Sequence, residues 1–145
     1  MEAWSEVCLS GVKSYTRLRG EPAPRACLDE LADYAGGWLP ADYLDVMSRS
    51  NGFEGVVGSC PDVGWPFRLL PCEEALTATR AYRVREYEPD LFLLGTDGSG
   101  TAYLIDTRSH EWVELPFLDF GAVGHSRLER RFDSLRGLLE NLASG

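Results

Sequence analysis

The stretch that decides the fold is LFLLGTDGSGTAYLID, residues 91–106. Two apolar runs of strand length, Leu91–Leu94 and Ala102–Ile105, flank Asp97-Gly98-Ser99-Gly100. Asp and Gly are turn chemistry: Gly reaches positive φ without steric cost, and Asp bonds its own following backbone. The stretch therefore reads as a β-hairpin. Because its first run is apolar at every position, that strand is expected to be central and covered on both faces. Gly95, Gly98 and Gly100 also have the spacing of a phosphate cradle. Such loops need a helix N-terminus behind them, and Thr-Ala-Tyr-Leu-Ile is a strand pattern, so the plain turn is the reading adopted.

Downstream, Arg108–Glu111 is a second turn into Trp112–Leu115, giving a three-strand meander. Ser126 with Glu129 fits a capping box, and Leu128, Phe132, Leu135, Leu139 and Leu142 follow at helical spacing, predicting a long amphipathic helix. Upstream, Phe53–Gly58 and Phe67–Leu70 read as strands around a Ser59–Pro66 loop. Pro71 then opens a helix with Glu73 and Glu74 at its positive end. Leu76, Thr79 and Tyr82 are assigned inward there, and Arg80, Arg83 and Arg85 to solvent.

Leu28, Leu31, Ala32 and Ala35 mark a helix stopped by Gly36-Gly37. A second helix starts at Pro40 and stops at Asn51-Gly52, with Tyr43, Leu44 and Met47 inward and Asp42, Asp45 and Arg49 outward. Trp4, Val7, Cys8, Gly11 and Tyr15 follow spacings of three and four. Residues 1–23 are accordingly expected to be an N-terminal helix and linker, ahead of an α+β unit over 24–145.

The chain of 145 residues is 44% hydrophobic and carries 23 acids against 14 basic side chains, a net of −9. A folded domain follows, without the basic footprint that nucleic acid or an anionic membrane requires. No apolar run approaches a membrane span, and the acidic start lacks a secretory n-region, which makes a cytoplasmic location the expectation. The charge is uneven. Residues 29–62 carry seven acids against Arg49 alone, and residues 97–119 carry five against Arg108. Cys8, Cys27, Cys60 and Cys72 form no Cys-x-x-Cys pair; reduced thiols without metal are expected, Cys8 and Cys27 as small buried residues.

Taken in order, several motifs resemble the SUKH superfamily, the SMI/KNR-type domain. They are Gly36 through Leu39-Pro40-x-x-Tyr43, then Asn51-Gly52, then Phe67-Arg-Leu-Leu-Pro71 entering a helix. Leu94-Gly95-Thr-Asp97-Gly98-Ser-Gly100-Thr-Ala-Tyr103-Leu-Ile-Asp106 follows, and Phe132-x-x-Leu135-x-x-Leu138-Leu139 closes the set. The likeness spans residues 24–142, excluding the 119–131 connection. It implies one α+β domain, a mixed and mostly antiparallel sheet with a central hairpin flanked by helices. It also implies function by protein binding. Bacterial members are similar to immunity proteins that neutralise polymorphic toxins, often nucleases, and fungal ones to cell-wall synthesis regulators. No catalytic motif or cofactor is carried over.

The sequence itself offers no Gly-x-Ser-x-Gly, His-Glu-x-x-His or Walker pattern, and nothing places His110 or His125 beside a nucleophile, so no enzyme is expected. The favoured reading is an inhibitory binding protein whose acidic face steers in a basic, nuclease-type toxin. The alternative is a housekeeping interaction module of the same fold. The candidate contact residues are Asp29, Asp33, Asp42, Asp45, Glu54, Trp65 and Asp97. Trp65 is either an exposed anchor or an ordinary core tryptophan.

Overall fold

The computed structural model of the protein describes residues 4–16, 20–62 and 64–144. The acidic start at 1–3, the linker positions 17–19, and the Ser126 side chain, expected as a cap, lie outside the described residues. The strands are β1 (Ser5–Leu9), β2 (Val12–Thr16), β3 (Phe53–Val57), β4 (Trp65–Leu69), β5 (Leu91–Thr96), β6 (Thr101–Asp106), β7 (Trp112–Pro116) and β8 (Arg130–Phe132). They form one sheet in sequence order, every neighbouring pair antiparallel. The expected mixed sheet is thus an unbroken antiparallel meander. Helices α1 (Arg25–Tyr34) and α2 (Ala41–Arg49) lie between β2 and β3, α3 (Cys72–Ala81) and α4 (Val84–Tyr87) between β4 and β5, and α5 (Leu135–Ala143) follows β8. Among the described residues no helix is long and apolar enough to cross a membrane.

The central hairpin is as the sequence requires. Leu91 to Gly95 are all buried, as are Ala102 to Asp106. The Asp97 carboxylate accepts from the N–H groups of Ser99 (2.8 Å) and Thr101 (3.1 Å), which fixes the turn. Gly95 has a packing reason: a Cβ there would sit 2.7 Å from the Arg68 carbonyl of β4. Cross-strand pairing places Phe92, Ile105, Trp112 and Phe132 side by side on one face. Tyr43 of α2 approaches Trp112 on this face, the ring centroids 6.4 Å apart. On the opposite face Leu93, Leu104 and Val113 are buried, whereas Cys8, Lys13, Glu54 and Pro66 of the outer strands stay exposed. Alternation thus holds at the sheet's margin and gives way to two-sided burial at its centre.

Three expectations are corrected. Residues 5–16 are a hairpin rather than a helix. Ser10 and Gly11 both have positive φ (50° and 82°), the two-residue turn whose twist suits paired strands. Burial alternates accordingly, with Val12, Ser14 and Thr16 in and Lys13 out, so the helical spacing of Trp4 to Tyr15 carries no helix. The C-terminal helix begins at Leu135, not near Ser126. Ser134 is its cap, accepting from Gly137 N–H at 3.0 Å. The residues before it turn through a short 3₁₀ segment and then add β8 to the sheet edge, leaving Leu128 exposed. Glu129, assigned to a capping box, instead binds Arg127 and Arg131. In α2 the inward stripe is Tyr43, Val46 and Met47, with Leu44 exposed.

Smaller departures follow the same logic. The helix opened by Pro71 ends at Ala81, so Tyr82 caps it and is exposed rather than inward. Arg85, expected in solvent, is half-buried and donates to the carbonyls of Tyr34 (3.0 Å) and Pro89 (3.3 Å).

Candidate functional site

On α1, Asp29, Glu30 and Asp33 are exposed. Arg25 pairs with Asp29 at 3.4 Å, and among the described residues Glu30 and Asp33 have no ion pair. The helix thus presents a solvent row of acid with one compensating cation. On α2, Asp45 is exposed and meets Arg49 at 3.5 Å, the i,i+4 pair expected from the sequence.

Asp42 is not a free surface charge. Its Oδ2 accepts from Leu135 N–H at 2.7 Å and its Oδ1 from Tyr43 N–H at 2.8 Å. It therefore satisfies a donor at the start of α5, a helix 93 residues away. Asn51 does the same for α3: its Oδ1 accepts from Cys72 N–H at 2.8 Å, while its Nδ2 donates to Glu73 at 3.2 Å. Asp42→Ala is expected to lower unfolding free energy by about 1 kcal/mol, as loss of a cap does. Urea unfolding reads this, and an unchanged midpoint would rule out the capping role.

Asp45 and Glu54 both line one groove of about 790 Å³, bounded by β1, the end of α2, the 50–54 turn and the end of β4 with Pro71. Glu6, Arg49 and Arg68 complete its charged lining. Both arginines are engaged, Arg49 with Asp45 and Arg68 with Glu74 at 2.6 Å, and Glu6 meets Lys13 at 3.5 Å. Among the described residues Glu54 is the groove acid with no ion pair. The groove can therefore accept one or more cationic side chains at Glu54 without breaking a bond already made.

Trp65 and Asp97 do not join this groove. Trp65 is the first residue of β4 rather than part of a loop; it pairs with Val57 and is 43% exposed, so the core reading is set aside. Glu54 and Val57 lie three apart on β3, which turns Trp65 to the face opposite Glu54. Asp97 is half-buried in the hairpin turn. Partial burial raises its carboxyl pKa, but the N–H groups of Ser99 and Thr101 more than offset this and hold it below the ordinary value. It is a turn organiser. The seven sequence candidates thus separate into an α1 row, a groove pair, one long-range cap, one turn residue and one exposed aromatic.

The remaining chemistry-bearing residues lie apart. His110 stacks on Trp38 with centroids 4.0 Å apart, and His125 is exposed in the connection after β7. Cys8 is exposed and Cys27 half-buried, against the expectation of burial; Cys72 is the buried thiol, its pKa pushed up by that burial. Among the described residues no three His, Cys, Asp or Glu side chains are grouped to hold a metal.

A further feature was not anticipated. Arg127, in the connection between β7 and β8, forks onto both carboxylate oxygens of Glu88 at 2.7 and 2.8 Å. Its Nε donates to Glu129 at 2.8 Å and its Nη1 to the Ala122 carbonyl at 3.1 Å. These contacts tie the connection to the segment after α4. The sequence signal was slight, an Arg-x-Glu in a stretch of no clear periodicity.

A scan of protein-family models finds no match to this chain, and a search of curated proteins finds no significant match.

Proposed function

We propose that this protein is a non-enzymatic partner-binding domain of SUKH type, acting as an immunity protein that binds and neutralises a basic, nuclease-type toxin. The observation that carries the reading is the spared acid: Glu30 and Asp33 on α1 and Glu54 in the groove, exposed carboxylates without ion pairs among the described residues. A solubilising charge needs only to be exposed. These acids are in addition set in rows and beside a concave surface where an arginine- or lysine-bearing loop can reach them. Long-range attraction of that kind raises the encounter rate, and half-exposed aromatics such as Trp65 supply contact area once the partner is docked.

The test uses Asp29→Lys, Asp33→Lys and Glu54→Lys together, leaving Asp42 and Asp97 in place because each holds local structure. Association with the co-purified product of the adjacent gene is followed by stopped flow. In low salt the triple variant should associate at least about tenfold more slowly, with the difference shrinking as salt screens the field. A folded variant that associates at the wild-type rate in low salt would eliminate the acidic-face reading.

A further inference from the structure

The connection between β7 and β8 carries the most exposed apolar side chain of the described residues. Leu118 is 97% exposed, Val123 83% and Leu128 68%. Three such side chains on an eleven-residue stretch call for a reason, because isolated surface leucines are ordinary but clustered ones mark contact surfaces. The stretch is also held in place. Arg127 grips Glu88 and the Ala122 carbonyl, Gly121 N–H donates to Glu88 at 2.6 Å, and Leu128 N–H donates to Asp119 at 2.8 Å. Leu118 is therefore presented on an ordered support, which reduces the entropy lost on contact.

Beside it lies a socket. Phe117, the residue before Leu118, packs against Tyr82 with the rings tilted by 39° and their centroids 4.8 Å apart. Both rings also line a groove of about 480 Å³ between α3 and the central hairpin, together with Leu70, Thr77, Ala78 and Leu93. An apolar knob thus adjoins a socket whose lining is apolar apart from Thr77, Thr96 and the Arg68–Glu74 ion pair, whose charges already answer each other.

The occupant follows from charge and symmetry. Two copies of a chain of net charge −9 repel unless they meet where acid is neutralised. On this face Glu88 and Glu129 are paired to Arg127, Glu74 to Arg68 and Glu86 to Arg83, while Asp119 accepts the Leu128 N–H. Elsewhere, among the described residues, Glu30 and Asp33 of α1 and Glu54 of the larger groove have no such partner. A two-fold contact further requires that one patch carry both a feature and its complement, as an adjoining knob and socket do. We propose that this face binds a second copy of the same chain, Leu118 of each protomer entering the Tyr82–Phe117 groove of the other.

Sedimentation velocity over a wide concentration range tests it. Wild type should sediment as a dimer that dissociates on dilution. Leu118→Asp should remain monomeric, since a carboxylate would have to be desolvated in the socket. Thr77→Arg, in the socket wall and exposed, should do the same without touching the knob. Both variants should keep the unfolding midpoint that wild type shows when diluted to monomer, since dimerisation itself raises the midpoint by mass action. A wild-type protein that stays monomeric at its highest concentration overturns the proposal, as does either variant dimerising with wild-type affinity. Binding of a different protein by a monomeric wild type through Leu118 would equally overturn it. Each of these outcomes leaves the acidic-face reading to its own stopped-flow test.

Discussion

Trp112→Ala is expected to lower the unfolding free energy by about 3 kcal/mol. Trp112 is 1% exposed at the start of β7, between Ile105 of β6 and Phe132 of β8, with Tyr43 of α2 over the same face. Truncation therefore removes the side chain that joins sheet to helix layer and leaves a cavity walled by three elements. Large aromatic deletions in cores cost about 3–5 kcal/mol. The lower end applies because the indole N–H has no partner among the described residues, and deleting an orphaned donor returns about 1 kcal/mol. Urea unfolding followed by circular dichroism reads the change, with the slope unaltered if the native state keeps its compactness. Trp65→Ala is the matched control: at 43% exposed it should stay within about 1 kcal/mol of wild type. Equal losses at the two tryptophans would contradict the placement of Trp112 in the core.

The contrast between these tryptophans indicates what the sequence could disclose. The Leu91–Asp106 hairpin was legible because local rules agree there: uninterrupted apolar runs, a turn of Asp and Gly, and a strand pattern on both sides. Helices α1 and α2 were legible for the same reason, each having a stripe and a stop, whereas α3 was legible at its Pro71 start but not at its end, which falls at Ala81. The first hairpin was misread because Trp4, Val7, Cys8, Gly11 and Tyr15 satisfy helical spacing while Ser10-Gly11 encodes a tight turn. A periodicity that runs through such a turn should yield to it. At the C-terminus Leu128 and Phe132 extended a genuine helical pattern backwards. What ended it was the claim of Arg127 and Arg131 on Glu129 and the cap at Ser134, and the first of these depends on tertiary contacts.

The candidate site was legible only as composition. Acid density pointed to residues 29–62, which hold the exposed α1 row and the groove acids Asp45 and Glu54, while β1 and the end of β4 supply the rest of the groove. Which acids are spared was not legible. Asp42 and Asp97 look the same in sequence as Asp33, yet one closes a helix 93 residues away and the other closes its own turn. A carboxylate's role is set by the N–H groups that reach it, and for Asp42 that donor arrives through the fold. Sorting spared from engaged acids is what converts an acidic composition into a surface with a testable boundary.

Glu88→Ala is the second large effect, expected to cost about 3 kcal/mol. The Glu88 side chain is 12% exposed and that of Arg127 16%, so the pair sits nearer the buried than the surface regime. Exposed pairs contribute about 0–1 kcal/mol; breaking a buried one costs about 3–5 kcal/mol, because the remaining charge is stranded. Removing Glu88 strands the Arg127 guanidinium and also leaves Gly121 N–H without its acceptor. Neighbouring Glu129 still meets Arg127 at 2.6 Å, which keeps the cost at the lower end. The damage should be local as well as global. Amide exchange over residues 117–128 should quicken more than in the β5–β6 hairpin, since the latch holds the connection and not the sheet centre. Glu88→Gln, which retains one acceptor but no charge, should lose less. Glu88→Leu combined with Arg127→Met should recover a good part of the stability, because an apolar pair leaves no stranded charge. A loss below about 1 kcal/mol for Glu88→Ala would place the pair in the surface regime, and the 117–128 connection would then need another support.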